Sequence, residues 1–141
     1  MSEITSGNRY KIINAQGGTV LDLSIKNGRT INGWNWHGTD NQIWQLEQVE
    51  GGPWRFRNVS NGKYLAAEGN PRDGLQLIGS EQPFNWHMWR DERDQNTYRI
   101  VYPDTVFNVD LSGNGDSTGG TPIELWGRHE AVNQTWRFEQ V

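Results

Sequence analysis

Apolar and polar residues alternate in short stretches along this chain, and nowhere do apolar positions recur at i, i+3, i+4 and i+7 long enough to support a helix. Glycine and proline punctuate the stretches throughout. The pattern predicts an all-β protein of short strands. Tyr10-Lys-Ile-Ile recurs as Trp54-Arg-Phe-Arg and as Tyr98-Arg-Ile-Val, with starts 44 residues apart each time. Twelve residues after each start come Asp22 in VLDLS, Ala66 in YLAAEG and Asp110 in NVDLS. Another alternating stretch follows in each copy, at Ile31–Trp36, Leu75–Ser80 and Ile123–Arg128, and the copies close on NQIW, WHMW and NQTW. Each copy therefore reads as about four short strands. A propeller blade has a similar period, but propellers need at least four blades. Three copies about a pseudo-threefold axis predict a single β-trefoil over residues 1–141, with repeats at about 8–53, 54–95 and 96–141. The closing Trp44, Trp89 and Trp136, with Ile12, Phe56 and Ile100, are expected to fill the shared core.

Composition narrows the chemistry. The chain has 141 residues, one domain's worth, and no cysteine, which excludes disulfides, thiolate catalysis and cysteine-based zinc sites. A net charge of −4 gives no electrostatic footprint for nucleic acid or for an anionic membrane. No apolar run approaches a membrane span, and the N-terminal segment lacks the basic-then-apolar pattern of a leader. These features predict a soluble, cytoplasmic protein with no membrane insertion; leaderless export would present the same sequence.

Catalytic and metal constellations are scarce. His129-Glu130 begins like a zincin helix but has Asn133 where the second imidazole belongs. The stretch Asp110–Asp116 starts like a calcium loop yet lacks the glutamate at position twelve and reads as a turn. The run Arg90–Asp94 reads as a solvated loop with weak surface pairs. What repeats is a binding set: an Asp on the second strand, an outward aromatic on the third, and Asn-Gln ahead of the closing Trp. Vicinal sugar hydroxyls offer paired donors and acceptors that a carboxylate and an amide can read, while an aromatic face covers the C–H side of the ring. Such shallow sites bind at roughly millimolar Kd, about −4 kcal/mol each.

Strand alternation turns Trp34 and Trp126 outward, and Trp36 with them. His37 and His129 fall at matching positions four residues ahead of Asn41 and Asn133. Gln42 and Gln134 are expected to brace the Asp or the loop. In the middle copy Ala66, Ile78 and Trp86 stand where the Asp, the Trp and the Asn are expected, so that site is read as inactive.

NQIW, WHMW and NQTW, with the paired VLDLS and NVDLS, make the whole chain resemble the ricin-B-type lectins. The absent cysteine and the stretch GWNWHG resemble, more narrowly, the cytosolic mushroom lectins of that fold. The resemblance implies recognition of glycans containing galactose or N-acetylgalactosamine, frequently by a homodimer, and a defensive role against grazing animals. It maps the family's Asp to Asp22 and Asp110, its stacking aromatic to Trp34 and Trp126, and its Asn to Asn41 and Asn133. The polar residue two before the aromatic is Asn32 in the first repeat and Glu124 in the third. Glu124 places a second carboxylate near Asp110, a departure that either alters sugar preference or disables that site. The expected carbohydrate site residues are thus Asp22, Asn32, Trp34, Trp36, His37 and Asn41 in repeat one, and Asp110, Glu124, Trp126, His129 and Asn133 in repeat three, with no cofactor. Two alternatives stay open: a trefoil protease inhibitor of mycocypin type acting through loops such as 69–74, and a glycosidase using Glu124 with Asp110.

Overall fold

The computed structural model describes residues 3–141; Met1 and Ser2, the start of the segment inspected for a leader, lie outside the described residues. The twelve strands are β1 (Arg9–Asn14), β2 (Val20–Leu23), β3 (Ile31–Trp34), β4 (Trp44–Gln48), β5 (Trp54–Asn58), β6 (Tyr64–Ala66), β7 (Ile78–Ser80), β8 (His87–Arg90), β9 (Tyr98–Val101), β10 (Phe107–Leu111), β11 (Thr121–Gly127) and β12 (Trp136–Gln140). Strand β1 pairs with β4 and β12, β4 with β5, β8 with β9, and β9 with β12. A bridge between Trp54 and Trp86 joins β5 to the start of β8 and closes the ring. The hairpins β2–β3, β6–β7 and β10–β11 cap it. Contacts from Thr121 to Gly33, Thr30 to Ile78 and Gln76 to Glu124 stitch those hairpins to one another. This is the β-trefoil that the repeat predicts.

The core is apolar and continuous, with Ile12, Phe56 and Ile100 fully buried beside Leu46, Leu77 and Leu125. Trp44, Trp86 and Trp136 are its largest side chains, each with no exposed surface. A buried indole N–H needs an acceptor. Here each finds a backbone carbonyl: Leu21 at 3.0 Å, Leu65 at 2.8 Å and Val109 at 3.0 Å. Those carbonyls belong to the residues just ahead of Asp22, Ala66 and Asp110, so the core tryptophans pin the strands that carry the carboxylates.

The middle repeat departs from the sequence expectation. Trp89 is not a core residue; it is 46% exposed, and Trp86 takes the core position. The core Trp stands at or just ahead of the first residue of its strand, as Trp44 opens β4 and Trp136 opens β12. Trp89 sits three residues further on, and an odd offset along a strand turns a side chain to the opposite face. The residues in place of Asn-Gln are therefore Pro83 and Phe84, with Phe84 packing on Trp86 at a centroid distance of 4.9 Å. Strand register also pairs Tyr64 with Ser80 and Ala66 with Ile78, where repeat one pairs Val20 with Trp34 and Asp22 with Asn32. Ser80, not Ile78, stands at the position of the outward tryptophan.

Candidate functional site

Two short 3-10 turns, Asp40–Gln42 and Val132–Gln134, deliver the Asn-Gln pairs beneath the caps of repeats one and three. In repeat one, Asn41 Nδ2 donates to Asp22 Oδ2 at 3.1 Å and to the carbonyl of Leu23 at 3.2 Å. Gln42 Nε2 donates to the same Asp22 Oδ2 at 3.0 Å and to the carbonyl of Asn35 at 2.8 Å, while its Oε1 accepts the His37 N–H at 2.7 Å. Thr39 Oγ1 donates to Asn41 Oδ1 at 2.6 Å. Both bracing donors converge on one carboxylate oxygen. Among the described residues, no donor engages Asp22 Oδ1, which is left to accept a hydroxyl.

Repeat three copies this plan with changes. Asn133 Nδ2 donates to Asp110 Oδ1 at 3.1 Å and Gln134 Nε2 to Asp110 Oδ2 at 3.0 Å, so each oxygen already holds a donor. His129 Nε2 lies 3.5 Å from Asp110 Oδ2, and its Nδ1 accepts the Ala131 N–H, which leaves the imidazole proton on the nitrogen facing the carboxylate. Ala131 stands where repeat one has Thr39, and Asn133 Oδ1 is a buried acceptor without a protein partner.

Each site opens as a cavity, about 430 Å³ in repeat one and about 250 Å³ in repeat three. The first gathers Asp22, Asn32, Trp34, His37 and Asn41; the second gathers Asp110, Glu124, Trp126, His129 and Asn133. Asp22 and Asp110 are 5% and 3% exposed, whereas Trp34 and Trp126 are 41% and 40% exposed. A buried carboxylate thus faces an open indole in both. The structure does not bring Trp36 into the group: its ring lies under the Lys11 ammonium, 4.9 Å from the centroid.

Burial pushes the Asp22 carboxyl above its ordinary value, against the hydrogen bonds of Gln42 and Asn41 and the nearby His37. Burial does the same to Asp110, against Gln134, His129 and Asn133. Glu124 is raised by burial and then by the charge of Asp110. Among the described residues, no cluster of three His, Asp or Glu could hold a metal ion, and no helix is long and apolar enough to cross a membrane.

Several participants carry no motif in the sequence. A Cβ at Gly119 would come within 2.5 Å of Cε3 and Cζ3 of Trp34, so this repeat-three glycine lies directly against the repeat-one indole. Asp73 of repeat two accepts the Gly127 N–H at 2.8 Å, beside Trp126. Ser24, Ile25, Lys26 and Thr39 line the first cavity, and Gly113 and Asn114 the second. Arg99 is 1% exposed and donates to Asp91, Asn108, Gln134 and the His129 carbonyl. Asp91, read from sequence as part of a solvated run, is itself buried. Its burial would raise its pKa, yet donors from Arg99, Arg93 and Asp94 together hold it below the ordinary carboxylate value.

A trefoil that carries two pinned Asp/Trp/Asn constellations defines a carbohydrate-binding architecture. The ricin-type β-trefoil lectin domain-like family matches residues 3–79 and 40–126, and the chain belongs to that family. Among solved structures, the chain is similar to a Macrolepiota procera ricin B-like lectin in complex with lactose, at 44% identity and a TM-score of 0.96, covering 99% of this chain and 100% of that one. It is also similar to the Rhizoctonia solani agglutinin, at 25% identity and a TM-score of 0.88 with both chains fully covered. A designed 3-fold symmetric protein shares the fold at 21% identity and a TM-score of 0.86, over 94% of this chain and 99% of that one. No match was found among curated proteins.

Proposed function

We propose that this protein is a non-catalytic lectin for glycans bearing galactose or N-acetylgalactosamine, with repeat one as its principal site and repeat three as a second, narrower one. The observation that carries the reading is Asp22: a buried carboxylate with both protein donors on Oδ2 and Oδ1 open, at the floor of a cavity walled by an exposed indole. The lactose complex of the Macrolepiota lectin supports the galactose assignment. Two weak sites per chain, doubled in a homodimer, would give avidity on a glycan-covered surface, which suits a cytoplasmic lectin deployed in defence. Neither a protease-inhibitor loop nor a glycosidase makes use of both matched constellations.

A glycan array probed with tagged protein, with and without competing galactose or N-acetylgalactosamine, tests the reading. Sugar-competed signal on galactose-terminated structures is the expected result. A blank array at high protein concentration overturns it and makes inhibition of a protease panel the next assay.

Two further outcomes follow from the geometry. Substituting Gly119→Val should push Trp34 off its seat and weaken lactose binding at repeat one by about fivefold to tenfold, the scale of one lost aromatic contact, with the melting temperature held nearly constant. Calorimetric titration of lactose into the variant checks this. Acidification should move binding and stability in opposite directions. Sugar hydroxyls need the ionised Asp22, so affinity falls as pH drops toward a carboxyl pKa that lies above the ordinary 3.8. In the same window the folded chain takes up protons at Asp22, Asp110 and Glu124 that the unfolded chain does not, so stability rises as pH falls from 7. Below 3.8 the contribution of Asp91, whose pKa is depressed, is lost and the trend reverses. Parallel lactose titrations and thermal melts from pH 7 to 3 read both curves.

A further inference from the structure

Ile25 is 81% exposed, the most exposed large apolar side chain among the described residues, and it lines the same cavity as Asp22 and Trp34. A single exposed isoleucine is ordinary on a protein surface. Its position here is not arbitrary, because the turn that carries it is fixed. Ser24 Oγ accepts the Lys26 N–H at 3.2 Å, the Ser24 carbonyl accepts the Gly28 N–H at 2.8 Å, and Asn27 Oδ1 accepts the N–H groups of Arg29 and Thr30 at 2.8 and 3.0 Å. A β-branched side chain is also stiff at χ1, so little rotamer freedom remains to be lost on contact.

Repeat three provides an internal comparison. Three residues beyond Asp22 stands Ile25; three beyond Asp110 stands Gly113. Gly113 and the following Asn114 have φ of 65° and 59°, a left-handed turn that offers no apolar side chain to its cavity. That cavity is the smaller of the two. The two sites share the carboxylate, the indole and the amide and differ at this rim.

We infer that Ile25, which lines one cavity with Asp22, Asn41 and Trp34, forms an apolar subsite in repeat one that receives an apolar substituent of a bound galactoside. The inference rests on the lectin reading of the same site. Two substituents carry that chemistry: the acetamido methyl at C2 of an N-acetylated galactosamine, and an apolar aglycone on the anomeric oxygen. Burial of either against Ile25 removes apolar surface from water on both partners. Repeat three, with Gly113 at this place, lacks the preference.

The test uses the full chain carrying Asp110→Ala, to isolate repeat one, alone and combined with Ile25→Ser or Ile25→Leu. Methyl β-galactoside, N-acetylgalactosamine and p-nitrophenyl β-galactoside are titrated into each by calorimetry. With Ile25→Ser, the affinity for N-acetylgalactosamine, for the p-nitrophenyl galactoside or for both should fall about fivefold relative to the methyl galactoside, and Ile25→Leu should restore the ratio. The ligand whose ratio moves identifies the substituent. Unchanged ratios overturn the subsite while leaving the lectin reading intact, and so does an equal weakening of all three ligands, which would make Ile25 a support of the turn. Failure of the Asp110→Ala protein and of the unaltered protein to bind any of the three overturns both.

Discussion

Asp22→Ala combined with Asp110→Ala is expected to abolish glycan binding and to leave the fold nearly as stable as before. Each carboxylate is a buried anion that lines its cavity together with the open indole, and hydrogen bonds to a charged acceptor contribute about 1.5–3 kcal/mol each. Losing two of them from a site of millimolar strength takes the remaining affinity below detection. Stability is spared for a reason visible in the hydrogen bonding. Asn41 keeps the Leu23 carbonyl and Gln42 keeps that of Asn35 when Asp22 is removed. Asn133 and Gln134 likewise keep Leu111 and Gly127. Each bracing NH2 thus keeps one of its two acceptors, the N–H that loses the carboxylate lies at a cavity open to water, and burial already disfavours the charges that are removed. Array binding and calorimetric melting of the double variant check both halves. The single variants should rank the sites: Asp22→Ala is expected to lose most of the signal, because Asp22 keeps an oxygen open whereas both oxygens of Asp110 hold protein donors.

Arg99→Met is expected to destabilise the protein by about 3–5 kcal/mol, the cost of removing one member of a buried ion pair, and to lower the melting temperature by roughly 10–17 °C for a chain of this size. Arg99 and Asp91 are 1% and 3% exposed, with Arg99 Nε 3.1 Å from Asp91 Oδ1. The substitution leaves that carboxylate buried without its counter-charge and removes the donors to Asn108 and Gln134. Gln134 is the brace of Asp110, so the damage extends into the repeat-three site. The corresponding residue of repeat one is Lys11, which is free of Gln42 and reaches Glu139 and the Trp36 face instead. Urea unfolding should therefore show the stability loss. A lactose titration at repeat one, in the Asp110→Ala background, should show affinity preserved while the protein remains folded. Adding Asp91→Asn should recover part of the stability, since the orphaned charge is then gone.

Much of the site was legible because the repeat duplicates it. Asp22 and Asp110 recur twelve residues after matching strand starts, and a carboxylate at the same place in two copies cannot be explained by solvation alone. The outward direction of Trp34 and Trp126 follows from a period of two along their strands. The middle repeat was less legible. WHMW offers two tryptophans, and only the Leu65 carbonyl, reached by the Trp86 indole at 2.8 Å, decides between them. Trp36 shares the outward parity of Trp34, yet lies past the end of β3, where strand alternation no longer governs direction.

By itself the sequence determined the trefoil, its three copies, and the matched carboxylate and amide that repeats one and three carry and repeat two lacks, because each depends on local alternation or on a spacing repeated along the chain. The tertiary structure alone decided which tryptophan enters the core, that Gly119 of repeat three underlies Trp34 of repeat one, that Arg99 is buried against Asp91, and that the rims of the two sites differ at Ile25 and Gly113. Those features arise where one repeat meets the next around the axis, from contacts between residues far apart in sequence that no period along a single strand encodes.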